Sequence, residues 1–175
     1  MRCVKILVVA ALMLSPTLPA FALPEDSEQP IRIQADTATL DDRRNTAVYT
    51  GDVVITQGTM RLTGDQVTLN TDAEGAVSKI VSVGNPATFV QTPQPDQGPV
   101  NARGQTIEYY AADERVVLID DAHLDQEGNT FEGEYVTYNV REELVEAGRA
   151  GESTEAPQRI QMTIQPRKRD EPAAQ

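Results

Sequence analysis

Three acidic pairs, Asp41-Asp42, Asp113-Glu114 and Asp120-Asp121, supply the residue types that hydrolysis of a glycosidic bond requires, one carboxyl as proton donor and another as base or nucleophile. They stand in a chain with 27 acidic against 15 basic residues, where a carboxylate in a solvated turn is the plainer reading. The single histidine, His123, would have to carry alone any Ser-His-Asp triad or histidine-rich metal site. It lies between Ala122 and Leu124 in an alternating run, which turns it away from the apolar face. Arg32, Arg61, Lys79 and Arg103 are candidates for contacts to phosphate, and each also fits a solvated surface. The chain has no G-x-x-x-x-G-K-[ST] loop to hold a nucleotide. The expectation is a protein that is not an enzyme and needs no metal or cofactor. A β-solenoid carbohydrate-active enzyme built on one of the acidic pairs is the catalytic alternative.

The elements that would position these groups are strands. Apolar residues recur at every second position in Ile31/Ile33, Val53/Ile55, Met60/Leu62, Val67/Leu69, Val81/Val83, Ile107/Tyr109, Val116/Leu118, Ala122/Leu124, Val136/Tyr138 and Ile160/Met162/Ile164. A period of two marks a strand with one buried face. Turn formers punctuate the series at residues 41–45, 57–59, 72–75 and 126–129, at the spacing of an all-β sandwich or barrel. The stretch 140–150 favours helix by composition, yet Val145 and Gly148 keep the rhythm of strand and turn. Residues 91–99 hold three prolines and read as a loop.

The chain also resembles itself at an offset of 69 residues. Asp52, Gln57, Gly64, Val67, Thr68 and Asn70 recur as Asp121, Gln126, Gly133, Val136, Thr137 and Asn139, while Ile55 and Leu62 become Leu124 and Phe131. A duplicated strand-turn-strand unit is expected, stacked as in a jelly roll or β-solenoid.

The beginning of the chain follows an export pattern. Arg2 and Lys5 precede an apolar run over residues 6–14 and an A-x-A site at Ala20-Phe21-Ala22, the order of a cleaved signal peptide, with a run too short to span a bilayer. Residues 1–22 are expected to be removed, leaving a domain over 31–165 between a flexible segment, 23–30, and a disordered charged tail, 166–175. Cys3, the only cysteine, would leave with the signal peptide, and Leu23 occupies the place where a lipoprotein needs a cysteine. Without Arg2 and Lys5 the balance is 13 basic to 27 acidic side chains. Such a field repels polyanions and argues against nucleic acid as a partner.

The order and spacing of Gln29-Pro30-Ile31-Arg32-Ile33-Gln34-Ala35-Asp36, of residues 49–58 (YTGDVVITQG), of Gly64-Asp65-Gln66-Val67 and of Gly84-Asn85-Pro86-Ala87-Thr88-Phe89 resemble the OstA-like family of periplasmic lipopolysaccharide-transport domains. The resemblance runs through nearly the whole of the chain after residue 22. It weakens in the 41–45 turn and after Pro166. It implies a slightly twisted, open β-jelly roll of about sixteen antiparallel strands whose apolar interior takes up the acyl chains of lipid A. It also implies periplasmic localisation and head-to-tail self-association. The implied partners are an inner-membrane anchored LptC-like homologue and the periplasmic domain of an LptD-like outer-membrane translocon.

Burial of each methylene of an acyl chain is worth about 0.8 kcal/mol, so transit through water needs a continuous apolar track. The candidate lipid-binding residues are Ile31, Ile33, Val53, Ile55, Leu62, Val67, Leu69, Phe89, Ile107, Tyr109, Leu118, Leu124, Phe131, Val136 and Tyr138. No tryptophan and only eight other aromatics occur, which makes such an interior mainly aliphatic. Anionic head groups should stay in solvent, outside an acidic protein. The candidate assembly edges are a first strand with Ile31, Ile33 and Ala35 and a last strand with Ile160, Met162 and Ile164, bounded by Pro30 and Pro166. Energy for directional transport has to come from a partner. The remaining alternative is a lipid-free interaction module with a solid core.

Overall fold

The computed structural model describes residues 26–94, 97–148 and 159–166. The expected signal peptide, the start at Leu23, the end of the 140–150 stretch and the tail beyond Pro166 lie outside the described residues.

The alternating runs form ten antiparallel strands: β1 (Arg32–Gln34), β2 (Thr37–Asp41), β3 (Thr46–Gln57), β4 (Met60–Thr71), β5 (Val77–Gln91), β6 (Val100–Tyr110), β7 (Arg115–Gln126), β8 (Asn129–Asn139), β9 (Leu144–Gly148) and β10 (Gln161–Thr163). They make one sheet in the order β1-β3-β4-β5-β6-β7-β8-β10, with β2 also on β3 and β9 also on β8. The six strands β3 to β8 each cross a corner. Their ladders shift register at one common level: Thr50/Val53, Thr63/Gln66, Val83/Ala87, Arg103/Thr106 and Ile119/Ala122. A bulge adds residues to one strand and bends it, and a column of them bends the whole sheet. The backbone takes positive φ there at Gly51, Asp52, Asp120 and Asp121.

The corner divides the sheet into two facing halves. One half carries β1, residues 53–57, 60–64, 87–91, 100–104, 122–126 and 129–133, and β10. The other carries β2, residues 46–50, 66–71, 77–83, 106–110, 115–119 and 135–139, and β9. Each half has eight straight segments, so the ten strands correspond to the sixteen of the expected open β-jelly roll. Among the described residues the only helical element is a 3-10 turn, Asp26–Glu28. The 140–150 stretch gives strand β9, since packing on β8 outweighs its helix-favouring composition.

One strand departs from the expected phase. Val81 is half-buried and Val83 is 46% exposed, whereas Ile80 and Ser82 point inward and are fully buried. Both phases of this run contain branched apolar residues, so alternation alone could not choose. The inward Ser82 is accommodated because its hydroxyl donates to Thr63 O at 2.9 Å and Gly64 leaves room beside it.

The described part of the 23–30 segment is tied to the sheet. Gln57 Nε2 donates to Ser27 O and Gln29 O at 3.0 and 3.1 Å, and Asp26 accepts from Thr59 N at 2.7 Å and Gln91 Nε2 at 2.9 Å.

Candidate functional site

The inward side chains line up across the sheet. Ile33, Ile55, Leu62, Phe89, Ala102, Leu124, Phe131 and Met162 are successive cross-strand partners in the first half. Leu40, Ala47, Leu69, Ile80, Tyr109, Val116, Tyr138 and Val145 form a matching row in the second. The two rows meet across the interior, where Phe89 and Tyr109 stack with ring centroids 6.4 Å apart.

All fifteen residues singled out from the sequence belong to this one cluster or pack against it. Twelve are buried, and Ile31, Ile33 and Phe131 are partly exposed. The middle of the free chain is therefore a packed core, worth about 1.5–3 kcal/mol for each large side chain it buries. Sequence reasoning did not single out Ile80, Ala87, Val100, Ala102 or Val140 as part of it. Ile80 lay in the ambiguous phase of β5, and single small residues give little periodic signal.

Access begins at the ends. Leu40, Ile160, Met162 and Ile164 are 68, 47, 51 and 70% exposed. Leu40 and Met162 terminate the two rows, and Ile160 and Ile164 share the phase of Met162. A cleft of about 770 Å³ opens beside Phe131. It is lined by the apolar Phe131, Val145, Ile164 and Pro166 together with the polar Gln126, Glu127, Asn129, Glu143 and Gln165. Glu143 also accepts from Gln94 Nε2 at 2.6 Å and Gln97 Nε2 at 3.0 Å, joining the loop after β5 to the turn before β9.

The polar candidates stand outside this interior. Asp41 accepts the backbone N–H groups of Arg43 and Arg44 in its turn, Asp120 and Asp121 form the exposed corner of β7, and Glu114 accepts from Arg141 Nη2 at 3.0 Å. His123 faces away from the core with its Nδ1 2.9 Å from Glu132. Lys79 pairs with Glu108 at 3.0 Å, while Arg32, Arg61 and Arg103 are exposed. Burial pulls the Lys79 ammonium down, but hydrogen bonds to Glu108 and Tyr110 leave it above the usual lysine value. Burial pushes Glu108 up, and Tyr110 and Lys79 more than reverse that, holding it below the usual carboxylate range. Inside, burial drives the phenols of Tyr109 and Tyr138 up to about 12. Among the described residues no group of three His, Cys, Asp or Glu side chains comes together to hold a metal.

The chain is similar to proteins of one kind. It is 53% identical over 152 residues to the lipopolysaccharide export system protein LptH of Pseudomonas aeruginosa, covering 86% of this chain and 87% of that protein. It is 36% identical over 142 residues to the lipopolysaccharide export system protein LptA of Escherichia coli, covering 81% and 76%. The crystal structure of LptH, described as the LptA homologous periplasmic component of the lipopolysaccharide transport device of P. aeruginosa, matches with a TM-score of 0.75 at 51% identity, over 82% of this chain and all of that one. The model of the family described as LptA/(LptD N-terminal domain) LPS transport protein matches residues 32–144, the jelly roll from β1 to the start of β9, and the chain belongs to that family.

Proposed function

We propose that this protein is a periplasmic lipopolysaccharide carrier that shields acyl chains along its inward rows. One observation carries the reading: an unbroken apolar row runs from Ile33 to Met162 across eight strands, sealed in the middle and bare at its end. Acyl chains enter at the cleft beside Phe131, whose lining also includes Val145, Ile164 and Pro166. Further uptake requires the half-sheets to part between Phe89 and Tyr109, exchanging side-chain contacts for contacts with methylenes at little net cost. Glu127 and Glu143 in the lining keep phosphate-bearing head groups in solvent.

The sheet ends supply the bridge. Among the described residues strands β1 and β10 each pair on one side only, which leaves main-chain groups for β-augmentation by another domain of the same kind. Head-to-tail copies then connect an inner-membrane anchored LptC-like homologue to the periplasmic domain of an LptD-like translocon. The test is photo-crosslinking with purified lipopolysaccharide from Ile33, Phe89 and Phe131 against the outward Arg32. Capture from the inward positions alone is expected. Capture only from Arg32, or none at all, sinks the carrier reading.

A further inference from the structure

The offset of 69 seen in the sequence also runs through the sheet. The cross-strand pair Ile55/Leu62 recurs as Leu124/Phe131, and Ala47/Leu69 recurs as Val116/Tyr138. The chain is thus two copies of one unit, the first ending with β5 and the second beginning with β6. Leu69 and Tyr138 hold equivalent inward places in the two units, so the fold itself accepts a side chain with no polar atom there.

Tyrosine in that place brings a hydroxyl into an apolar row. Tyr138 is fully buried, and its hydroxyl has no hydrogen-bond partner among the described residues. A buried polar group left without a partner is costly, and its presence asks for an explanation. Burial pushes the phenol up to about 12, and the Glu143 carboxylate adds to the shift. At neutral pH the group therefore keeps its proton and stands as a donor.

Its surroundings lead to the cleft described above. Val145, its neighbour across the β8–β9 ladder, lines that cleft, and so does Glu143. Glu143 Oε1 accepts from Gln97 Nε2 at 3.0 Å. A carboxylate only accepts, which fixes the Gln97 amide with its nitrogen on Glu143 and its oxygen turned elsewhere. That oxygen, Gln97 Oε1, is also buried and without a hydrogen-bond partner among the described residues. The third such atom, Gln91 Oε1, belongs to a side chain held by Asp26 at the N-terminal turn. Around Glu143, then, the protein gathers one donor that lacks an acceptor and one acceptor that lacks a donor.

We infer that Tyr138 and Gln97 form a hydroxyl-reading site behind the cleft, selective for acyl chains that carry a hydroxyl group close to the head. The inference rests on the carrier reading above and adds a selectivity to it. The hydroxyl of the bound chain accepts from the Tyr138 phenol and donates to Gln97 Oε1, while the aliphatic remainder runs on along the inward row. One atom does both. An ester carbonyl only accepts, and an unsubstituted chain does neither. The hydroxyl lies near the head because Tyr138 is one strand, about 4.8 Å, inward from Val145 in the cleft.

The experiment displaces the fluorescent fatty acid cis-parinaric acid from the full chain with myristic acid or with β-hydroxymyristic acid. The hydroxylated acid should act at about one tenth of the concentration that myristic acid needs, the effect of two neutral hydrogen bonds. Tyr138→Phe keeps the ring and removes only the hydroxyl, and Gln97→Ala removes the acceptor. Each should cut the advantage to about threefold, and the double variant should abolish it. Equal displacement by the two acids in the parent, or an advantage that the double variant leaves whole, overturns the hydroxyl site and leaves the carrier reading standing. A parent that takes up neither acid overturns both.

Discussion

Phe89 on one half-sheet and Tyr109 on the other stack at 6.4 Å and 27°, and this contact closes the interior across the middle of the fold. Phe89 is wholly buried and Tyr109 nearly so. Phe89→Ala should therefore lower stability by about 3–5 kcal/mol, the usual cost of removing a core phenylalanine. Urea unfolding followed by far-ultraviolet circular dichroism measures it; a loss below about 1 kcal/mol would mean that the halves are not packed here.

The corner gives a paired comparison, because Gly64 and Gly133 occupy equivalent places in the two units. A Cβ on Gly64 would meet the Ser82 hydroxyl and stand 2.8 Å from Val83 O, whereas on Gly133 its nearest neighbour is Ile160 Cγ2 at 3.5 Å. Gly64→Ala should cost about 1–3 kcal/mol through overpacking, and Gly133→Ala should be neutral or slightly stabilising. Thermal melts of the two variants decide it, and equal losses would contradict the geometry.

Glu108 and Lys79 bridge β5 and β6 where the two units meet. The Glu108 pKa is lowered on folding, so its contribution is complete above the ordinary glutamate value of about 4.3 and fades as pH falls through its folded value. The Lys79 pKa is raised, so its contribution is complete below about 10.4 and is lost as pH climbs through its folded value. Both side chains keep some solvent contact, which limits the pair to about 1 kcal/mol or less. Replacing Glu108 with Gln should flatten the acid limb of a stability-against-pH curve and leave the neutral region nearly level. An acid limb as steep as the parent's would remove Glu108 from the account.

At the bare end of the row, Met162→Glu should weaken assembly while leaving the monomer intact, because Met162 is half-exposed in the free chain but would be buried beside a second copy. Sedimentation at high concentration reads the effect, alongside an unchanged melting temperature. Identical sedimentation of variant and parent would count against use of this edge.

Amino-acid order alone determined that the chain is β-structured, that its apolar side chains share one face, and that it repeats at an offset of 69. Those properties are local, since a period of two follows from the geometry of a single strand. The fifteen candidate lining residues all lie in one cluster or against it, whereas Val81 and Val83, drawn from the same period, turned the other way, and the acidic pairs and His123 fell outside it. Tertiary structure decided the rest. Only the sheet chooses between Ile80 and Val83 as inward residues, because the choice turns on Ser82 fitting beneath Gly64 rather than on hydrophobicity. Only the common corner makes the two rows face each other, so that Phe89 meets Tyr109. Which parts of those rows are sealed and which are bare depends on how many strands lie on either side, a property of the whole sheet that no single strand encodes.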